Sequence, residues 1–368
     1  MSRHLHHRSH RRRPVSRHCR EAAKHYRLHN FGAAHRFLDT GLRRCDLWCV
    51  CLVWFLNPAI LALLVAFLFA SPTLAQTAAP IDTIAKQAFV LDANTNTELF
   101  AKDADTPMHP SSMSKMMTMY LVFEAPTSEY AWKQEGSRMF LSVGQRAKVE
   151  DLIRGVVIQS GNDAAVVFAE YLGGSEQNFA EMMNAQAQKL GMKNSHFTNA
   201  TGMPDPQHLT TAHDLAVLAL ALQRDFPQHY HYFSELDFIY NNIKQGNRNP
   251  LLYRAMQVDG LKTGHTDTGG FGLTASALRN NRRLILVLNG LPDMQSRADE
   301  SAKLLDWGYR EFDDYAVVKS GDKQAEAKID LGEKPTVALL ASQDITLTLP
   351  RAAHAGLKAE TSFDPLIP

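Results

Sequence analysis

"FGLTASALRNNRRLILVLN", residues 271–289, decides the fold. Two strand-like runs, Phe271–Ala277 and Arg283–Asn289, stand on either side of the polar cluster "LRNNR", the pattern of a β-hairpin. Towards the N-terminus, Ala88–Leu91 and Glu98–Ala101 flank the turn cluster Asp92–Thr97 and predict a second hairpin. Between the hairpins the pattern is helical. A helix over Met116–Glu124 continues from the Ser112 region, Val149–Gln159 is amphipathic, and Asn162–Leu172 is small and apolar as in a buried helix. Ser175 caps Glu176–Leu190, and Thr211 with Asp214 forms a capping box before "LAVLALAL". Asp299–Phe312 returns to helix. Strands, then helices, then strands imply an α+β fold, with an antiparallel sheet whose edge strands come from both ends of the chain. From about Tyr315 the short alternating runs "AVVKSG", "TVALLAS" and "ITLTLP" predict a small β segment, of too few residues for a large independent core.

Charge divides the chain in two. The first 75 residues hold 12 Lys and Arg against three Asp and Glu, and the rest hold 27 against 35, so a net charge of +1 hides +9 on one part and −8 on the other. The body is mildly acidic and has no basic patch of the kind nucleic acid requires. All four cysteines (Cys19, Cys45, Cys49, Cys51) fall in the first part, so the body needs neither disulfide nor thiolate metal site, which suits an oxidising compartment. Leu47–Ala70 is almost continuously apolar, preceded by Arg43 and Arg44 and followed by "SPTLAQ". Basic flank, apolar core and small residues at a cut site make a secretory signal, with cleavage after Ala75 and a mature chain from Gln76. The apolar run is also long enough to span a bilayer, so an uncleaved signal that tethers the protein to the inner membrane is the competing reading. The His/Arg-rich stretch ahead of it ("HLHHRSHRRRP") reads as a long basic flank or a mis-assigned start rather than a metal site.

Three short motifs carry chemistry. Ser112 and Lys115, three apart in "SSMSKMMT", share one face of a helix, which is where a base must sit to take a proton from a nucleophile. In isolation the pair reads as an N-cap serine and a solvated lysine. "QSGNDA" then places Ser160-Gly161-Asn162 in a turn between two helices, and "VDGLKTGHTDTGG" places Lys262-Thr263-Gly264 at the opening of the strand that leads into "FGLTASA". A second SxxK, Ser320-Gly321-Asp322-Lys323, shows how little that motif means alone. All three motifs in order, at element boundaries and behind an export signal, are specific.

The set resembles the penicillin-binding proteins and β-lactamases, serine acyltransferases with SxxK, SxN and KTG in that order. The surrounding text, "LIRGVVIQSGNDAA", "HLTTAHDLA", "KTGHTDTGGFGLTASA" and "SRADESAKLLDWGYREF", resembles the low-molecular-weight D-alanyl-D-alanine carboxypeptidases over roughly Ala85 to Phe312. The resemblance implies a β-lactamase/transpeptidase-like antiparallel sheet with flanking helices, and a site between the sheet edge and a helical lobe. It implies peptidoglycan stem peptides as substrates, β-lactams as covalent inhibitors, and a role in peptidoglycan biosynthesis and cell shape. Ser112 would be the nucleophile and Lys115 its base, made neutral by burial or by a second cation, for which Lys262 is the candidate. Ser160 would pass the proton to the leaving amine, and Asn162 would fix Lys115 and the substrate amide. The backbone N–H groups of Ser112 and His265 would form the oxyanion hole. Lys262, Thr263 and Gly264, with Arg297, would meet the substrate carboxylate, for which arginine offers a matching fork. Asp163 and His213 read as capping and packing residues, and Glu170 and Glu176 as helix-surface residues. No metal or organic cofactor is indicated.

The sequence departs from the family twice. The connection "YLVFEAPTSEYAW" is more than a dozen residues shorter than in relatives, and no amphipathic membrane-binding helix follows the β segment. The expected organisation is a leader over 1–75, a catalytic domain over 76–312 and a partial C-terminal β domain over 313–368, in a protein of the periplasm or the outer face of the inner membrane. Competing functions sharing the motifs are a β-lactamase, a D,D-endopeptidase cutting cross-links, and a non-catalytic module that binds penicillin or cell-wall peptides.

Overall fold

A computed structural model describes residues 78–121, 128–329, 335–356 and 366–367. The leader and most of the shortened connection lie outside them. The expected hairpins form first as β1 (Gln87–Asp92) and β2 (Thr97–Lys102). A 3-10 turn over Ser111–Ser114 leads straight into helix α1 (Lys115–Tyr120). The helical lobe continues with the single turn α2 (Glu129–Trp132), then α3 (Val149–Val157), α4 (Asn162–Gly173), α5 (Glu176–Leu190) and α6 (Ala212–Asp225). Next come the small hairpin β3 (Asp237–Tyr240) and β4 (Ile243–Gly246), and the long strands β5 (Val258–Thr266), β6 (Gly270–Arg279) and β7 (Arg282–Leu291). Helix α7 (Met294–Glu311) and strands β8 (Phe312–Val318), β9 (Lys323–Ile329), β10 (Thr336–Leu340), β11 (Ile345–Pro350) and β12 (Leu366–Ile367) complete the order.

Five strands form one antiparallel sheet in the order β2-β1-β7-β6-β5, so the two edges do come from opposite ends of the fold. All ten residues of β7 are buried, as its unbroken apolar run requires when both faces are covered. Alternation then sorts the side chains. Phe89, Leu91, Ile285 and Val287 face the helical lobe, where they join Phe168 of α4 and Leu215 and Leu218 of α6. Val90, Leu284, Leu286 and Leu288 face the other way, onto Leu304, Leu305 and Trp307 of α7.

Several boundaries differ from expectation. Lys262-Thr263-Gly264 does not open the strand leading into "FGLTASA"; it lies inside β5, a strand of its own that pairs antiparallel with β6. Helix α7 starts at Met294, five residues before Asp299, because the Asp293 carboxylate caps it by accepting from the Ser296 N–H. The capping box at α6 is half made. Thr211 Oγ1 accepts from the Asp214 N–H, but the Asp214 carboxylate turns away to accept from the Asn194 N–H and Ser195 Oγ. The β3–β4 hairpin had no sequence signal strong enough to predict it. By contact, the chain divides into two units: one spans Gln76–Ala316 with Thr346–Ala355, and the other includes Val317–Ile345, where β9 pairs antiparallel with β10 and parallel with β12.

One buried ion pair ties the adjacent strands β1 and β7 together at one end of the main sheet. Asp92 Oδ2, fully buried at the end of β1, accepts from Arg282 Nε at 2.6 Å at the start of β7. Arg282 Nη1 donates to the carbonyls of Gly308 and Phe312 at the end of α7. Asp314 Oδ1 lies 3.3 Å from the same Arg282 Nε, so removing Asp92 leaves the buried guanidinium one less buried partner, at a cost near the lower end of about 3–5 kcal/mol. Asp92→Ala is therefore expected to lower unfolding free energy by about that amount in a denaturant titration. A loss below about 1 kcal/mol would show that the pair does not hold the sheet as described.

Candidate active site

The SxxK pair is held by two close backbone approaches. Ser111 has a positive φ of 51°, and it is followed by the turn that carries Ser112 into α1. Gly264 of β5 lies against this turn so tightly that a Cβ there would come within 2.8 Å of the Pro110 carbonyl oxygen and 3.1 Å of Ser111 Cβ. The KTG glycine is thus a packing requirement: any side chain would push the strand off the nucleophile. On the other side, Gly202 (φ 79°) abuts the Ser111 carbonyl. Ser111 Oγ and Thr266 Oγ1, 3.0 Å apart, fasten the same turn to β5.

Ser112 is partly exposed and Lys115 is fully buried beneath it. Lys115 Nζ lies 3.0 Å from Ser112 Oγ and donates to the Thr201 carbonyl at 2.6 Å. Burial is the first cause that drives the Lys115 ammonium down to about 7; the Arg248 guanidinium adds to it, while Asp163 and Glu176 oppose it. Ser160 follows α3 in the left-handed region (φ 58°), a conformation costing on the order of 1–3 kcal/mol for a side-chain-bearing residue. It brings Ser160 Oγ to 2.9 Å from Lys262 Nζ, which also donates to the Thr263 carbonyl. Lys262 is likewise pushed well below its usual range, first by burial and then by Lys115, Arg248 and Arg297.

One expected role needs correction and another an addition. Among the described residues Asn162 makes no hydrogen bond to Lys115. Its Nδ2 donates to the Glu135 carbonyl at 2.6 Å and faces Met203 Sδ at 3.6 Å, because the α4 N-terminus directs it towards the segment after α2. Arg248 is a further cation that acts on Lys115, beside Lys262, which Lys115 in turn repels. Arg248 stands in the polar loop "QGNRNP" and donates to Ser137 Oγ, and no motif marked it. Also unforeseen is the loop 199–203, which supplies the Thr201 carbonyl to Lys115 and lays Met203 beside Asn162.

Arg297 is buried in the first turn of α7, where it is no surface arginine. Its Nη2 donates to the Arg248 carbonyl, and its guanidinium lies 5.7 Å from the Phe271 ring centre. Among the described residues its buried Nε has no partner. Burial and Arg248 lower it to about 10, so it stays charged at neutral pH. The exposed His265 ring stacks on Phe271 from β6, with centroids 3.9 Å apart, which anchors the ring and fixes the backbone of β5 beside the serine. Asp163 accepts from the Met139, Leu141 and Ala164 N–H groups, a purely architectural use. His213 pairs with Asp105 and packs on Phe89. Glu170 and Glu176 also hold structure, accepting from Ser128 Oγ and from Tyr130 OH respectively. A cavity of about 1000 Å³ beyond α1, lined by Met119, Ile153, Leu222 and Phe233 among others, contains none of these polar groups.

The arrangement offers a nucleophile, a buried amine against it, a second hydroxyl tied to a second amine, and arginine above them, which is the equipment for acyl transfer from a substrate carrying a carboxylate. Comparison with known proteins agrees. The family described as D-alanyl-D-alanine carboxypeptidase matches residues 74–292, and the family described as penicillin-binding protein 5, C-terminal domain, matches residues 312–367. The chain is 39% identical to the D-alanyl-D-alanine carboxypeptidase DacA of Haemophilus influenzae over 294 residues, which covers 75% of each chain. It is 38% identical to the D-alanyl-D-alanine carboxypeptidase DacD of Escherichia coli, covering 75% of this chain and 76% of that one. The crystal structure of penicillin binding protein 5 from Haemophilus influenzae superposes with a TM-score of 0.69 at 37% identity, over 75% of this chain and 86% of that chain.

The electrostatics can be tested on Arg248. Removing a positive neighbour favours the Lys115 ammonium, so the amine titrates at higher pH and less of it is neutral near pH 7. Arg248→Gln is expected to move the acid limb of the acylation rate by a fluorescent penicillin to higher pH and to slow acylation roughly three- to tenfold at pH 6.5. Arg248→Lys should keep the limb in place. An unmoved limb in Arg248→Gln would remove Arg248 from the account.

Proposed function

The chain belongs to the D-alanyl-D-alanine carboxypeptidase family, and from that premise we propose how its residues perform the reaction and where it acts. It is a serine-type D-Ala-D-Ala carboxypeptidase and a low-molecular-weight penicillin-binding protein. The observation that carries the assignment of roles is the fully buried Lys115 amine, 3.0 Å from Ser112 Oγ, whose ammonium burial pushes down to about 7.

In this reading the neutral Lys115 amine takes the Ser112 proton while Ser112 Oγ bonds to the carbonyl carbon between the two terminal D-alanines of a stem peptide. Charge collects on the carbonyl oxygen. The backbone N–H groups of Ser112 and His265, brought together by the Gly264 approach, receive it, each donor being worth roughly 3 kcal/mol. The C–N bond then breaks. The leaving D-Ala nitrogen takes a proton from Ser160 Oγ, which is refilled by the proton Lys115 took from Ser112, so that Lys115 is neutral again; Lys262 holds Ser160 Oγ for this relay. Water later attacks the acyl carbon and gives a proton to the neutral Lys115, which returns it to Ser112 Oγ as the acyl C–O bond breaks. Asn162 sits where it meets the substrate amide. Lys262, Thr263, Gly264 and Arg297 take the terminal carboxylate, and that anion relieves the repulsion among the clustered cations. A β-lactam presents its own carbonyl and carboxylate to the same groups and acylates Ser112.

The sequence supports the remaining assignments. Residues 1–75 act as a leader and export signal, 76–312 as the catalytic domain and 313–368 as a C-terminal β domain. The enzyme works on peptidoglycan in the periplasm or at the outer face of the inner membrane, in peptidoglycan biosynthesis and cell-shape maintenance.

The direct test is D-alanine release by the purified Gln76–Pro368 chain from a peptide ending in D-Ala-D-Ala. Release is expected only from the D,D peptide, not from a matched peptide ending in L-Ala, and Ser112→Ala should lower it by roughly 10⁴-fold or more. Release that survives in Ser112→Ala would refute the nucleophile. No release from the folded enzyme, with cleavage of cross-linked muropeptides instead, would favour the endopeptidase reading.

A further inference from the structure

Residues 199–203, Asn-Ala-Thr-Gly-Met, are shaped by one side chain. Asn199 Oδ1 accepts from the Thr201 N–H at 3.2 Å, Thr201 Oγ1 at 3.0 Å, the Gly202 N–H at 2.7 Å and the Met203 N–H at 3.1 Å. Its Nδ2 donates to Thr198 Oγ1 and to the Met203 carbonyl. Every polar atom of the carboxamide is spent on holding this one loop. The loop in turn spends its own groups on the active site. The Thr201 carbonyl accepts from Lys115 Nζ at 2.6 Å, and the Ala200 carbonyl accepts from Thr118 Oγ1 one turn along the same helix at 2.7 Å. Glu176 secures the loop from α5 by accepting from the Ala200 N–H, and Gly202 rests on the Ser111 carbonyl.

A neutral amine has two N–H donors and one lone pair. With Cε and one N–H fixed, the lone pair is therefore confined to the two remaining tetrahedral positions. In Lys115 the Thr201 carbonyl engages an N–H, which leaves the lone pair free to face the Ser112 hydroxyl. The same carbonyl stabilises the ammonium that forms when the proton arrives. A base oriented by a third group is the usual construction of an activated nucleophile.

We propose that Asn199 is a positioning residue for acylation: its carboxamide oxygen folds residues 199–203 so that the Thr201 carbonyl holds the Lys115 amine with its lone pair towards Ser112. This rests on Lys115 being the base. Other charged and titratable groups facing Lys115 are Arg248 from the β4 loop, Lys262 from β5, Asp163 from α4, Glu176 from α5 and the neutral His208. Among the described residues none of them hydrogen-bonds to Asn199; Glu176 meets the loop at the Ala200 N–H and His208 meets it at Thr198, so the Thr201 carbonyl is the direct route from Asn199 to the amine.

The test is the pH profile of acylation by a fluorescent penicillin in Asn199→Ala and Asn199→Asp, with thermal melts to confirm folding. In Asn199→Ala the carbonyl loses its tether, and the alkaline plateau should fall roughly ten- to a hundredfold. Loss of the acceptor disfavours the ammonium, so the acid limb should move to lower pH. Asn199→Asp keeps the accepting oxygen and adds negative charge near the amine. It should recover most of the plateau and move the limb to higher pH, the opposite direction. A role in loop stability alone would lower the melting temperature and scale the rate without moving either limb, and that result overturns the proposal, as does wild-type acylation by Asn199→Ala. If Asn199→Ala does not fold, the limb of Asn199→Asp decides on the same terms. Lys115→Ala separates the two claims: wild-type acylation by that variant would sink the base assignment itself, whatever Asn199 does.

Discussion

The active site depends on burying Lys115. An ammonium taken out of water with no carboxylate bonded to it gives up its proton even with Asp163 and Glu176 opposing, and the depression to about 7 corresponds to roughly 5 kcal/mol against the charged form. The surroundings sustain that state. Lys115 and Lys262 bond only to hydroxyls and carbonyls, Arg297 bonds to the Arg248 carbonyl, and Arg248 bonds to a serine hydroxyl. Four cationic side chains thus meet without a neutralising partner among these bonds. Arginine keeps its proton, so the lysines yield theirs. A cluster of cationic side chains with no carboxylate bonded to them also explains how a substrate carboxylate is recognised. The ligand supplies the missing charge at the moment it aligns its carbonyl.

Backbone geometry makes this clustering permanent. Ser111 and Ser160 both occupy the left-handed region, and each precedes or carries a hydroxyl used in the proposed chemistry. Glycines 264 and 202 press on the Ser111 turn from opposite sides at distances that no Cβ allows. Such local strain persists only when the surrounding structure enforces it. Here the enforcing body is the five-stranded sheet, with β7 buried on both faces and the Asp92–Arg282 pair locking it to β1 at one end. Stability is concentrated in the sheet and the helical lobe, and the strain they sustain lies at the seam between them.

Much of this was legible in the chain. The hairpin at 271–289 and the unbroken apolar run in β7 carry their own periodicity, so the sheet could be read directly. The three motifs pointed to Ser112, Lys115, Ser160, Asn162, Lys262, Thr263 and Gly264 because each is a fixed local spacing. What escaped were interactions between distant segments. Arg248 sits in a polar loop with no pattern, and only the folded chain puts it next to Lys115. The Asn199 loop carries a weak signal, an asparagine three residues before a glycine, which predicts a turn but not what the turn's carbonyls will meet. Asn162 was placed against Lys115 by motif logic, whereas the start of α4 turns its amide to Glu135. The start of α7 was misplaced because Asp293 caps the helix further upstream than the apolar pattern begins.

The most direct measurement is the titration of Lys115 itself, followed by heteronuclear NMR of lysine labelled with ¹³C at Cε and ¹⁵N at Nζ, with Lys115→Met to assign the resonance. The account predicts a Lys115 signal that titrates near pH 7 in the free enzyme, far below the exposed lysines. A Lys115 that remains an ammonium through pH 9 would contradict it, because the base would then be charged throughout the range in which the enzyme must take a proton from Ser112.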